Sequence, residues 1–352
     1  MKAKLIDKTA LAGVVGGLAA KMPVYAPVRD GRRVYFRFLA AEDEACLDYG
    51  NSDNAPKNLF FPHTETLMRF TRTARGHELV EDEAANQDQE MVLFGVRPCD
   101  VRSFTLLDYV FDQEKYTDPY YVERRKRTVI VALACLQPPA STCFCTSVGG
   151  HPAQADGADI MITEVGEQYL VEFLSEKGEK LAEFFGQLPE ADAKTLARKE
   201  ELVENAVAAI KTEIPGAMIK DWLDKNFEHP FWDQIHQSCL GCGTCTYLCP
   251  TCHCFDIRDE LEGDQGIRLR TWDTCMYALY TQETSGHNPR PSQKQRWRQR
   301  LMHKFKYFVD NFREISCVGC GRCVINCPVN IDIRKLVSDI GRLMEAEEES
   351  NG

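Results

Sequence analysis

Cys239-Leu240-Gly241-Cys242-Gly243-Thr244-Cys245-Thr246-Tyr247-Leu248-Cys249-Pro250 returns later in the chain as Cys317-Val318-Gly319-Cys320-Gly321-Arg322-Cys323-Val324-Ile325-Asn326-Cys327-Pro328. Both stretches have the spacing C-x2-C-x2-C-x3-C-P, which wraps thiolates around a 4Fe-4S cubane. Three thiolates two residues apart reach one inorganic core only if the backbone between them turns sharply, and a glycine inside each x2 spacer supplies that freedom. Structural zinc is the competing reading of C-x2-C pairs. Zinc takes four ligands and would leave cysteines over in runs this dense, so the pair of runs points to two 4Fe-4S clusters.

In two-cluster ferredoxins the fourth cysteine of each run serves the other cluster. On that rule cluster A takes Cys239, Cys242, Cys245 and Cys327, and cluster B takes Cys317, Cys320, Cys323 and Cys249.

Outward from these runs, the 352 residues suffice for two domains, and the 44% apolar fraction is that of an ordinary globular protein. The expected fold class is α+β: a mixed α/β domain over 1–176, a charged helical bridge over 177–228, and a mainly helical ferredoxin-like dicluster domain over 229–345. That last domain carries an insertion at 252–315 and an acidic tail at 346–352. Val24–Val28 and Arg33–Phe38 around Asp30-Gly31 read as a hairpin. Met91–Val96 and Thr128–Leu133 are continuous apolar runs, expected for strands buried on both faces. Asp100 is placed to cap the helix that follows the first of them, and Ala158–Thr163 with Gln168–Phe173 reads as a second hairpin.

The charge of -11 argues against nucleic acid as a partner, because phosphate binding wants a basic face. Half of the sixteen cysteines fall in cluster runs that need free thiolates, which suits a reducing cytoplasm. The apolar stretch at 10–20 imitates a signal peptide, but Asp7 and Lys21 interrupt its flanks. Leu11, Val14, Val15 and Leu18 make a helical face there instead. No stretch is long and apolar enough for insertion into a bilayer. Gly-x-Gly-x-x-Gly and Walker loops are absent, as are Gly-x-Ser-x-Gly elbows and His-Glu-x-x-His helices. The residues therefore offer no nicotinamide, flavin or hydrolytic site of their own.

A second cysteine group, Cys99, Cys135, Cys143 and Cys145, follows the two apolar strands. If those strands are neighbours, four thiols meet at one sheet edge and suit a third 4Fe-4S cluster; buried apolar cysteines are the plainer alternative. Cys252, His253, Cys254 and Cys275 admit a zinc site, a further cluster or a reactive dithiol, against packing thiols beside a cluster. The basic run from Arg290 to Lys306, with Trp297, reads as a docking patch or as pairing with the acidic remainder. His236, His287 and His303 are assigned no ligand role.

Taken together, several stretches resemble the 4Fe-4S dicluster electron-transfer subunits typified by the dicluster subunit of anaerobic sulfite reductase and by the β subunits of cytoplasmic sulfhydrogenases. They are Val24-Tyr25-Ala26-Pro27, Phe61-Pro62 leading to Glu65, Gly95-Val96-Arg97-Pro98-Cys99-Asp100, Cys143-Phe144-Cys145-Thr146-Ser147, Cys249-Pro250-Thr251-Cys252-His253-Cys254, Trp272-Asp273-Thr274-Cys275 and Gly286-His287-Asn288, with the final cysteine run. Pro98 sits on the sulfhydrogenase side of that likeness, where the sulfite reductase protein tends to have alanine. The resemblance implies an iron-sulfur wire, not catalytic alone, in a soluble oxidoreductase complex. Its partners would be a flavin- and NAD(P)H-binding subunit together with a terminal reductase or nickel-iron hydrogenase subunit. It also strengthens the third-cluster set, Cys99, Cys135, Cys143 and Cys145. The alternatives are a subunit feeding a heterodisulfide-reductase-like bifurcating complex, a thiol/disulfide reductase acting at Cys252 and Cys254, and a zinc-binding assembly factor.

Overall fold

The computed structural model describes residues 3–80 and 89–351. Eleven strands are described: β1 (Ala3–Asp7), β2 (Val24–Asp30), β3 (Arg33–Phe38), β4 (Thr64–Thr73), β5 (Gly76–Val80), β6 (Met91–Val96), β7 (Thr128–Leu133), β8 (Ile160–Val165), β9 (Gln168–Phe173), β10 (Phe255–Glu262) and β11 (Gln265–Trp272). Seven form one sheet in the order β1-β9-β8-β7-β6-β2-β3. Its centre is parallel, β2 with β6, β6 with β7 and β7 with β8, and its margins are antiparallel. The continuous apolar runs of β6 and β7 lie in that centre, buried along nearly their whole length because helices and loops cover both faces.

Helix Lys8–Ala19 buries Leu11, Val14, Val15 and Leu18, as their spacing requires. The helix after β6 runs Pro98–Phe111, and its cap position is Arg97. Asp100, read from the sequence as the cap, sits inside the first turn instead, because Pro98 already starts the helix.

The two halves are not separate bodies. β10 and β11 form a hairpin whose β11 edge pairs with β4, giving a four-stranded antiparallel sheet β10-β11-β4-β5. The insertion at 252–315 is thus partly β, a correction to the mainly helical expectation. Its strands mix apolar and charged residues, with Ile257 opposite Arg270 and Leu269 opposite Arg258, and a two-residue turn with Gly263 at φ 61° joins them. Around the hairpin the cysteine-bearing half is short helices, then Gln293–Met302, a π-helical turn His303–Tyr307, and a last helix Ile333–Asn351. The segment expected as a tail is therefore helical as far as Asn351; Gly352 lies outside the described residues.

One apolar core fills the seven-stranded sheet and a second gathers Trp222, Trp232, Trp297, Leu301, Phe305 and Val337. Phe144 and Val148, from a loop of the first half, belong to the second core. Buried polar bonds tie the halves where the cysteines lie. Arg322 makes a two-pronged ion pair with Asp100 at 2.7 Å for each bond and also donates to the Ser52 carbonyl at 2.9 Å. Asn51 donates to the Cys320 carbonyl at 2.7 Å, Arg102 to that of Cys317 at 3.1 Å, and Lys57 to that of Cys252 at 2.6 Å.

Candidate iron-sulfur centres

The first run and its mate close around a single cavity. Cys239, Cys242, Cys245 and Cys327 line it together with Gly241, Gly243, Met276, Trp297 and Pro328. Gly241 at φ 68° and Gly243 at φ 75° take the left-handed conformation that the tight wrap demands. Sulfur finds hydrogen-bond donors here: Gln293 Nε2 lies 3.1 Å from Cys239 Sγ, the Gly241 N–H 3.4 Å from the same atom, and the Ile331 N–H 3.2 Å from Cys327 Sγ. Donors of this kind tune a cluster that such thiolates hold. This site reaches the surface: Cys242 is exposed, and Leu240 is 70% accessible.

The set assigned to cluster B is interior. Cys249, Cys317 and Cys320 are buried, and Cys323 lies close enough to feel the charges of Cys249 and Cys317. Burial pushes Cys317 up to about 11 and Cys320 and Cys323 up to about 12, so these thiols ionise only against a strong positive charge. Lys304 supplies part of it: its Nζ is 3.3 Å from Cys249 Sγ, 3.1 Å from Thr251 Oγ1 and 2.8 Å from the Ser316 carbonyl.

Cys99, Cys135, Cys143 and Cys145 line a third cavity with Arg97, Pro98, His151, Pro152, Gly319 and Cys320. β6 and β7 are parallel neighbours, so their C-terminal ends deliver Cys99 and Cys135 to one edge of the sheet. The loop carrying Cys143 and Cys145 packs against the second run, with the Phe144 N–H donating to the Gly319 carbonyl at 2.9 Å. A Cβ on Gly319 would stand 2.5 Å from the Phe144 and Cys145 backbone, so only glycine allows this approach. Burial raises all four thiols, Cys145 to about 12.

A fourth cavity was not separable by spacing. Thr251, Cys252, His253, Cys254, Cys275, Arg300, His303, Lys304 and Ser316 line it. The thiols of Cys252 and Cys254 answer to different neighbours: Cys249 is the leading influence on Cys252, and Cys275 on Cys254. Cys275, ahead of the nearby Lys57, pulls Cys254 down to about 6. Burial lowers His253 to about 4 and His303 to about 3, so both rings are neutral. Among the described residues no group of three or more His, Cys, Asp or Glu side chains is placed to hold a single metal ion.

The basic run is not a solvated docking face. Lys294 pairs with Asp233 at 2.8 Å, Arg298 with Glu228 at 2.9 Å and Lys306 with Asp224 at 2.8 Å, while Arg300 and Lys304 turn inward to the cysteines. Sequence reading missed that inward face, and it missed Lys57. Arg296, Arg300 and Lys304 stand four apart, beside Trp297 and Leu301, and that is the available signal for one helical face.

A family model for a 4Fe-4S dicluster domain matches residues 238–331, which span both runs. The β subunit of sulfhydrogenase 2 of Pyrococcus furiosus is 32% identical over 322 residues, covering 90% of this chain and 92% of that one. No solved structure matches. Among the described residues no helix is long and apolar enough to cross a membrane. The chain carries two 4Fe-4S clusters and is an electron-transport subunit of the oxidoreductase class. With the likeness extending over nine-tenths of its length, the α/β half included, the chain belongs to the family of the sulfhydrogenase β subunits.

Proposed function

We propose that the protein is the iron-sulfur wire of a soluble, cytoplasmic complex of sulfhydrogenase type. It relays single electrons between a flavin- and NAD(P)H-binding subunit on one side and a terminal catalytic subunit on the other. Clusters A and B take the two cysteine sets assigned above, and Cys99, Cys135, Cys143 and Cys145 hold a third 4Fe-4S cluster in the α/β half. The observation that carries this reading is the sharing of walls. Cys323, of the B set, lines the A cavity, and Cys320, also of the B set, lines the third. Cluster B is then the middle station of a three-centre row.

Each cluster supplies outer-sphere, one-electron chemistry when bound. The protein's own side chains hold thiolate ligands, donate N–H groups to sulfur and exclude water from the B cage; no acid or base is needed. At the A end, Leu240 and Ile325 stand exposed beside the two ligand runs, a place for a partner to approach within hopping range.

Iron and acid-labile sulfide analysis of anaerobically purified protein tests the count. About twelve irons per chain are expected for three cubanes and about eight for two. Cys135→Ser is expected to remove about four irons and leave the rest. Unchanged iron in that variant would return the four thiols to the core, and stoichiometric zinc in place of iron would overturn the whole reading.

A further inference from the structure

The thiols of the fourth cavity lie outside the three assigned ligand sets. Cys254 and Cys275 line that cavity together, and each is the leading influence on the other's thiol. The hairpin sets this placement. β10 and β11 close with Phe255 opposite Trp272, and the next rung is the Asp273 N–H donating to the Cys254 carbonyl at 2.9 Å. Cys254 therefore leaves the base of one strand as the chain from the other strand turns back through Thr274 to Cys275. Two thiols brought to one cavity by a paired backbone are placed for a sulfur-sulfur bond.

Their surroundings suit electron exchange. Cys252, on the same cavity, has Cys249 of the B set as its strongest influence, and Lys304 lines the cavity while its Nζ lies 3.3 Å from Cys249 Sγ. Lys57, Arg300 and Lys304 are 2%, 2% and 4% accessible, and among the described residues none of them pairs with a carboxylate. The Arg300 Nε is buried without a hydrogen-bond partner. A positive wall next to a sulfur pair stabilises thiolate, and also the singly reduced disulfide anion through which one-electron donors must pass.

We infer that Cys254 and Cys275 are a redox-active dithiol-disulfide pair that exchanges electrons with cluster B. In reduction the Cys254 Sγ–Cys275 Sγ bond breaks, two electrons arrive one at a time from cluster B, and two protons complete the thiols. In oxidation the two S–H bonds break, the S–S bond forms, two protons leave, and the two electrons go one at a time to cluster B, the first being passed along the row before the second arrives. The exchange rests on the three-centre reading above, while the pair's own chemistry does not. The wire thereby holds a two-electron, two-proton store against its one-electron stations.

The test uses the full-length protein with its clusters. Samples are poised anaerobically in a series of dithiothreitol redox buffers, quenched in acid, alkylated under denaturing conditions and read peptide by peptide by mass spectrometry. Cys254 and Cys275 are expected to lose alkylation together as the buffer becomes oxidising, with a mass two hydrogens lighter for the linked peptides. In Cys275→Ser, Cys254 is expected to stay alkylated throughout with the iron content unchanged. Full alkylation of both cysteines in the wild type at every poise would overturn the inference without needing any variant. Loss of iron in Cys275→Ser or Cys275→Ala would overturn it too, by making the pair cluster ligands. Coupling is read with dithionite: the disulfide is expected to be reduced faster in the loaded protein than in protein stripped of iron. Equal rates would sink the exchange with cluster B yet leave the three-centre row untouched, whereas failure of that row shows separately, as missing iron in the loaded protein.

Discussion

Lys304 is a cation without a carboxylate among the described residues: its ammonium lies against Cys249 Sγ, Thr251 Oγ1 and the Ser316 carbonyl in an interior position. A buried positive charge beside a ligand sulfur favours the more negative, reduced cluster and so raises its potential. Lys304→Met is expected to lower the potential of cluster B by about 60–120 mV, the equivalent of about 1.4–2.8 kcal/mol for one electron. EPR-monitored redox titration measures this, and the signal of cluster A is expected to stay in place. Arg322 is a different case, since its charge is paired with Asp100 in a site closed to water. Arg322→Met leaves that carboxylate buried and alone, so the chain is expected to lose about 3–5 kcal/mol of stability, read by denaturant unfolding. A loss below about 0.5 kcal/mol would mean that Asp100 finds water or another donor.

At the scale of elements, the β10–β11 hairpin is the strap between the halves, and its tightest point is Gly266. A Cβ there would stand 2.3 Å from the Phe70 ring of β4, the neighbouring strand. Gly266→Ala is expected to cost about 1–3 kcal/mol by overpacking. Because the hairpin base holds Cys254 at its register, hydrogen exchange should show faster opening of β11 in that variant. The π-helical turn His303–Tyr307 is the other element that matters. Turns of this kind gather at functional sites, and this one carries Lys304 toward Cys249 from a helix that began with a Ser292 capping box.

Over the whole molecule, stability should depend on acid through two half-buried imidazoles. His253 and His303 sit at about 4 and about 3, below the ordinary value of 6.5, because burial penalises their charge. An unfolded chain binds those protons from pH 6.5 downward while the folded one refuses them. Their contribution is therefore complete above about pH 6.5 and drains as the pH falls toward 4 and 3. For His253 alone the loss at pH 4 is about 3 kcal/mol. Urea unfolding at pH 7 and pH 4.5 measures it, and His303→Phe is expected to flatten the dependence. By itself the sequence determined the two cluster runs, the buried strands β6 and β7, the face of the first helix and the family, because each is a local matter of spacing, periodicity or motif. Only the tertiary structure decided that Cys99, Cys135, Cys143 and Cys145 share a cavity with Cys320, that Cys254 and Cys275 line one cavity, and that Arg300 and Lys304 face inward. Those outcomes depend on which strands lie side by side and which helix face the second core covers. Residues far apart along the chain settle such matters through packing, and no short window of sequence contains them.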